Sequence, residues 1–152
     1  MTEVVDQELV AELARDLVGV IAPEELPLFA AMSKAWFADP ARVQTNQGDD
    51  VLAFGVAETA ALLSPVLLAA ATHALNYAGE ELGRKVARGS VAWLREQLRH
   101  LFHRQESDVS LDTQQIAKVR AITLETARRF RIPKEKAKEI ADAVTARFAP
   151  TS

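Results

Sequence analysis

Apolar residues recur at helical spacing along most of the chain, and no stretch alternates apolar and polar residues for long enough to predict a strand. The first stripe has its members three or four positions apart, at Val5, Leu9, Leu13, Leu17 and Val20. It predicts a helix capped by Thr2 that ends near Ile21, because Pro23 restricts the residue before it. A second helix is predicted from Pro23 to Asp39. Its predicted inner face holds Leu26, Phe29, Ala30, Ser33, Trp36 and Phe37.

The most unusual pattern is an apolar, nearly charge-free segment, Val51–Ala78. As one unbroken helix it is long enough to cross a bilayer, which takes about 20 residues. Ser64 followed by Pro65 is a helix-start signal, however, so we predict two helices, at about 50–63 and 65–88. Such a hairpin is expected at the centre of a bundle, and one helix kinked at Pro65 is the alternative. The residues that define the hairpin are Leu52, Phe54, Glu58, Leu62, Leu63, Leu67 and Leu68.

Glu58 is the only charged residue of that segment. A carboxylate among apolar neighbours is costly unless it is paired or protonated. We therefore expect Glu58 to be partly exposed or paired with a basic residue; in a membrane it would face a partner helix or a pore.

A basic amphipathic helix, Val91–Arg104, is predicted after the break at Gly89 and Ser90. Between Arg84 and Arg104 there are six basic residues and one acid. Such a helix can dock its apolar stripe into a bundle, which is the expectation we favour, or lie on an anionic membrane surface. The candidate residues for a partner or membrane surface are Arg84, Arg88, Trp93, Arg95, Arg99 and Phe102.

A C-terminal helical hairpin is predicted over residues 112–148. Asp112 and Gln115 have capping-box spacing, and Pro133 opens the second helix. The inner stripe of that helix is predicted to hold Ala137, Ile140, Ala141, Val144 and Phe148. Two helices and a short turn superficially suit a helix-turn-helix unit. Because the basic residues surround both helices and alternate with acids, nucleic-acid binding is not expected.

The predicted fold is therefore all-α, a single bundle of about six helices around the central apolar hairpin. Residues 1–104 form the bundle, with the hairpin at about 50–88, and residues 112–148 are expected to pack on the same domain.

Charge is distributed unevenly along the chain. Residues 1–50 hold three basic and ten acidic residues, whereas residues 80–152 hold fifteen basic and ten acidic residues. These halves can attract each other within one molecule or head to tail between molecules. The interpretation that we favour from sequence is two solvated faces of opposite sign.

Candidate chemistry is sparse. The chain has no cysteine, and its serines and glycines form neither a nucleophile elbow nor a phosphate-binding loop. Glu96, His100 and His103 share one helix face and are weak candidates for a metal site, although a solvated polar face is the expectation. The sequence thus predicts no catalytic residue, no cofactor and no enzyme.

The acidic N-terminal residues are unlike a secretory or import signal, so a cytoplasmic protein is expected, with membrane association as a further option. We predict a non-enzymatic helical protein that acts by self-association or through a protein partner. The alternative is a protein that inserts residues 51–78 into a bilayer. In outline, an apolar hairpin wrapped by amphipathic helices is similar to the pore-forming bundles of colicin-like toxins, a likeness that carries no residue over.

Overall fold

The computed structural model describes residues 6–39, 62–85, 90–103 and 110–149. Every regular element within these ranges is helical, which confirms the predicted all-α bundle. A short 3₁₀ turn, Pro23–Glu25, lies between the first two α-helices. The six α-helices are α1 (Gln7–Ile21), α2 (Leu26–Ala38), α3 (Ser64–Lys85), α4 (Val91–Phe102), α5 (Thr113–Arg129) and α6 (Lys134–Phe148).

Helix α3 lies at the centre of the bundle and contacts each of the other five described helices. It is the second helix of the predicted apolar hairpin, and its side chains from Val66 to Ala71 are buried. Alanines at 69, 70, 71, 74 and 78 keep its surface narrow, so neighbouring backbones can approach closely. The first helix of that hairpin lies outside the described residues, and so do Leu52, Phe54 and Glu58.

The start of α3 is held by Glu25, a residue of the 3₁₀ turn before α2. The Glu25 carboxylate accepts hydrogen bonds from the backbone N–H groups of Leu63 and Ser64. It also accepts one from the Ser64 hydroxyl. The predicted helix start at Ser64 is confirmed, since α3 begins at this residue, and its side chain donates to Glu25. The carboxylate satisfies backbone donors that a helix N-terminus leaves without intrahelical partners.

Two details of α1 and α2 differ from the sequence-based expectation. Asp6 caps α1, since its carboxylate accepts from the Leu9 N–H at 2.8 Å, while the predicted cap lies outside the described residues. Val20 was expected on the inner stripe but is 60% exposed, because the buried row continues to Ile21 instead.

In α2 the buried residues are Phe29, Met32 and Trp36, whereas Leu26 and Ala30 are exposed. Because α2 is apolar on most sides, its sequence pattern does not single out the inner face.

The C-terminal hairpin agrees closely with the prediction. The capping box at Asp112 and Gln115 is present, and all five predicted inner residues of α6 are buried. Helices α5 and α6 pack on each other, and the hairpin also contacts α1, α3 and α4. Their buried residues therefore join the same hydrophobic core as those of α1 and α3.

Candidate interaction surfaces

A ladder of ion pairs joins α1 to α4. Arg95 Nε lies 3.2 Å from the Asp6 carboxylate, and Arg99 Nε donates to Glu12 Oε2 at 2.9 Å. Further along, His103 lies 3.7 Å from Glu12 and 3.8 Å from Asp16. From Arg95 to His103 the partners on the α1 side run from Asp6 to Asp16. The residue numbers therefore increase in the same direction along both helices, so α1 and α4 run parallel. Basic groups spaced four residues apart on α4 thus meet acids along one side of α1.

The pair between Arg99 and Glu12 is the closest contact of this ladder. Each side chain keeps about a third of its surface exposed, at 33% and 34%. The hydrogen bond to Glu12 is the largest influence on Arg99 and raises the pKa of its guanidinium, although burial acts in the opposite direction. Arg99 is thereby held in its charged form.

The ladder replaces the expected picture of two solvated faces. Arg95 and Arg99 of α4 form ion pairs within one molecule with three acids of the N-terminal half, Asp6, Glu8 and Glu12. Arg147 of α6 extends the arrangement, since it lies 3.8 Å from Asp16. Two of the predicted partner-surface residues, Arg95 and Arg99, therefore pair with acids at the N-cap of α1 and within α1.

The three weak metal candidates line an open groove of about 410 Å³ on the outer side of α4. His100 lies 3.8 Å from Glu96 in its own helix, whereas His103, just after α4, lies close to acids of α1. Across the described ranges, no group of three or more His, Asp or Glu side chains is placed to hold a metal ion. The groove instead presents mixed charge to solvent.

A second groove, of about 370 Å³, runs between α3 and α5. A single stripe of α5 forms one wall, with His73 of α3 opposite. Although His73 is exposed at the rim, partial burial of its imidazole lowers the pKa of His73, and the nearby Arg129 lowers it further. The hydrogen bond from Arg128 is the main reason that the pKa of Glu125 is lowered. The α5 residues of the wall are Lys118, Ala121, Ile122, Glu125, Thr126 and Arg129.

Among the residues that the structure describes, the exposed large apolar side chains all fall within residues 20–28, which we define as the α1–α2 corner. Val20 is 60% exposed, Leu28 is 40% exposed and Leu26 is 39% exposed. Glu24, between them in sequence, is also exposed. No sequence pattern marked this corner, because its exposed leucines and valine belong to helices that also bury apolar residues.

The remaining predicted surface residues have separate surroundings. Arg84 pairs with Glu81 in the preceding turn of α3, at 3.2 Å. Trp93 is partly buried and packs against the core. Arg88 and the side chain of Phe102 lie outside what the structure describes.

Among the helices that the structure describes, none combines the length and apolar character needed to cross a bilayer. No protein-family model, curated protein or solved structure matches the chain. Inferences about function therefore rest on the surfaces described above.

Proposed function

We propose that this is a non-enzymatic helical protein that acts through association, either with copies of itself or with a partner protein. The supporting observation is the α1–α2 corner, where Val20 and Leu28 are exposed beside a well-packed core. Exposed large apolar side chains on both helices of one corner make that corner a candidate contact surface. The charged groups of the α1–α4 ladder, in contrast, already have partners within the molecule.

Sedimentation velocity of the intact protein at rising concentrations tests this proposal. We expect the weight-average sedimentation coefficient to increase with concentration, and Leu28→Arg to abolish the increase. Ala146→Arg is the matched control, because Ala146 is an exposed position on α6 and receives the same side chain. A wild-type protein that stays monomeric throughout, and that co-purifies with no partner in stoichiometric amount, would overturn the proposal.

The alternative proposal is entry of residues 51–78 into a membrane. Its support is the first four turns of α3, Ser64–Gly79, which contain no charged residue. This proposal predicts dye release from anionic vesicles by the intact protein, with loss of release in Leu67→Glu. Leu67→Ala is the control, since it also disturbs the buried site without adding a charge. Absence of vesicle binding at every pH would exclude it.

A further inference from the structure

The α1–α2 corner is acidic as well as apolar. Between Arg15 and Lys34 the chain contains acids but no basic residue. Of these acids, Glu25 is buried against the start of α3 and Asp16 faces His103 and Arg147. Glu24 is therefore the acid that the corner presents to solvent, alongside the exposed Val20 and Leu28.

The α3–α5 groove has the complementary character. Its wall contains the small and apolar side chains of Ala121 and Ile122 at the middle of the α5 stripe. Lys118 and Arg129 lie toward opposite ends of that stripe, eleven positions apart in sequence and therefore about 16 Å apart along the helix axis. An apolar centre between two cations suits an apolar protrusion that carries acidic charge.

The one acid of the groove does not cancel this positive character. Glu125 accepts two hydrogen bonds from Arg128, at 2.9 and 3.0 Å, and also lies 3.5 Å from Arg129. Two guanidinium groups thus share one carboxylate, and Lys118 adds a third positive charge. The local balance of these four groups is positive.

We propose that the α1–α2 corner of one copy of this chain docks in the α3–α5 groove of a second copy. Val20 and Leu28 cover the groove's apolar centre, and Glu24 faces its cations. This inference rests on the proposed function, of which it names the partner and the surfaces. It also gives a role to the opposite charges of the two halves of the chain, in the head-to-tail sense.

Electrostatic repulsion opposes contact between two corners or between two grooves. Two corners placed together would bring Glu24 against its own copy, and two grooves would oppose Lys118 and Arg129 with the same cations. Contact between two different surfaces is heterologous, so a dimer leaves one corner and one groove free. Assembly therefore continues into a ring or a filament as concentration rises.

Mixing two disabled variants tests this geometry directly. Leu28→Arg places a cation in the corner, whereas Ala121→Arg fills the groove with a long side chain. Both positions are exposed, so both variants should fold, which circular dichroism checks. Each variant alone should associate at least about tenfold more weakly than wild type, as expected for a change at the centre of a contact. The intact groove of the first variant and the intact corner of the second should combine into a one-to-one dimer that grows no further.

Three results would overturn the inference. The first is that Leu28→Arg or Ala121→Arg associates as strongly as the wild-type protein. The second is that the mixture of these two variants remains monomeric. In these two cases the proposed function would still hold if the wild-type protein self-associates, but the contact would be made through other surfaces. The third is a wild-type protein that is monomeric at all concentrations, which removes the self-association branch of the proposed function as well. The control is a mixture of Ala146→Arg with Leu28→Arg. In this mixture the grooves of both variants are intact, and so is the corner of Ala146→Arg.

Discussion

The Ser64 hydroxyl donates a hydrogen bond of 2.7 Å to the Glu25 carboxylate, across 39 positions of sequence. Both groups are buried, and the same carboxylate accepts from two backbone N–H groups at the start of α3. A residue of the turn before α2 thereby fixes where the central helix begins. The contact joins the N-terminal helices to the helix that all the others touch.

Replacing Glu25 by Gln should lower the free energy of unfolding by about 2 kcal/mol, because an amide group would then face donors that need an acceptor. Glu24→Gln is the matched control, since it changes the same functional group at an exposed position. Urea denaturation measures both variants. Equal stability of the two would contradict the role assigned to Glu25.

Arg99→Gln should lower the free energy of unfolding by about 0.5–1 kcal/mol at low salt, because it removes a partly exposed hydrogen-bonded ion pair with Glu12. The loss should shrink at high salt, where screening weakens the pair. A double-mutant cycle with Glu12→Gln measures the coupling. Arg84→Gln, which removes a pair within α3, should have a smaller effect. No measurable coupling between Arg99 and Glu12 would count against the ladder as a stabilising contact.

Arg131→Gly should raise the free energy of unfolding by about 1 kcal/mol. Arg131 has φ of 59°, a left-handed conformation that glycine adopts without the steric cost of a Cβ. The N–H groups of Arg131 and Ile132 bond back to the carbonyls of Arg128 and Ala127, which is the Schellman pattern of a helix end. Arg131→Ala, which keeps the Cβ, should be close to wild type. A destabilised glycine variant would show that this turn differs from the one described.

The imidazole of His73 should titrate below the ordinary histidine value, which NMR of the ring protons measures directly. Because the unfolded chain then binds more protons than the folded one, stability should fall as pH decreases below about 6.5. Arg129→Gln should move the titration only part of the way back, since burial is the larger cause. Arg131→Gln is the control. Full recovery of the ordinary value in Arg129→Gln would assign the shift to charge alone.

The sequence predicted the elements whose signals are local. The capping box at Asp112 and the inner stripe of α6 depend on residues three or four positions apart, and both are present. The role of Glu25 was missed because its donors are 38 and 39 positions away, so that only packing of α2 against α3 brings them together. The buried face of α2 was misassigned because apolar residues occur on most sides of that helix.

The surfaces were less predictable than the helices. Arg95 and Arg99 stood out as candidates for an external partner, yet Asp6 and Glu12 already pair with them. Sequence alone shows that the two segments carry opposite charges, but tertiary packing decides whether those charges meet. The exposure of Leu28 likewise depends on which side of α2 the rest of the bundle covers.

NMR chemical-shift mapping during dilution tests the central claim, association through two different surfaces, most directly. Backbone amide signals of the intact protein should change with concentration in two groups, residues 20–28 and residues 118–129, and in Leu28→Arg both sets of changes should weaken together. Concentration-dependent changes confined to α4 would contradict the account, and so would spectra that do not change with concentration at all.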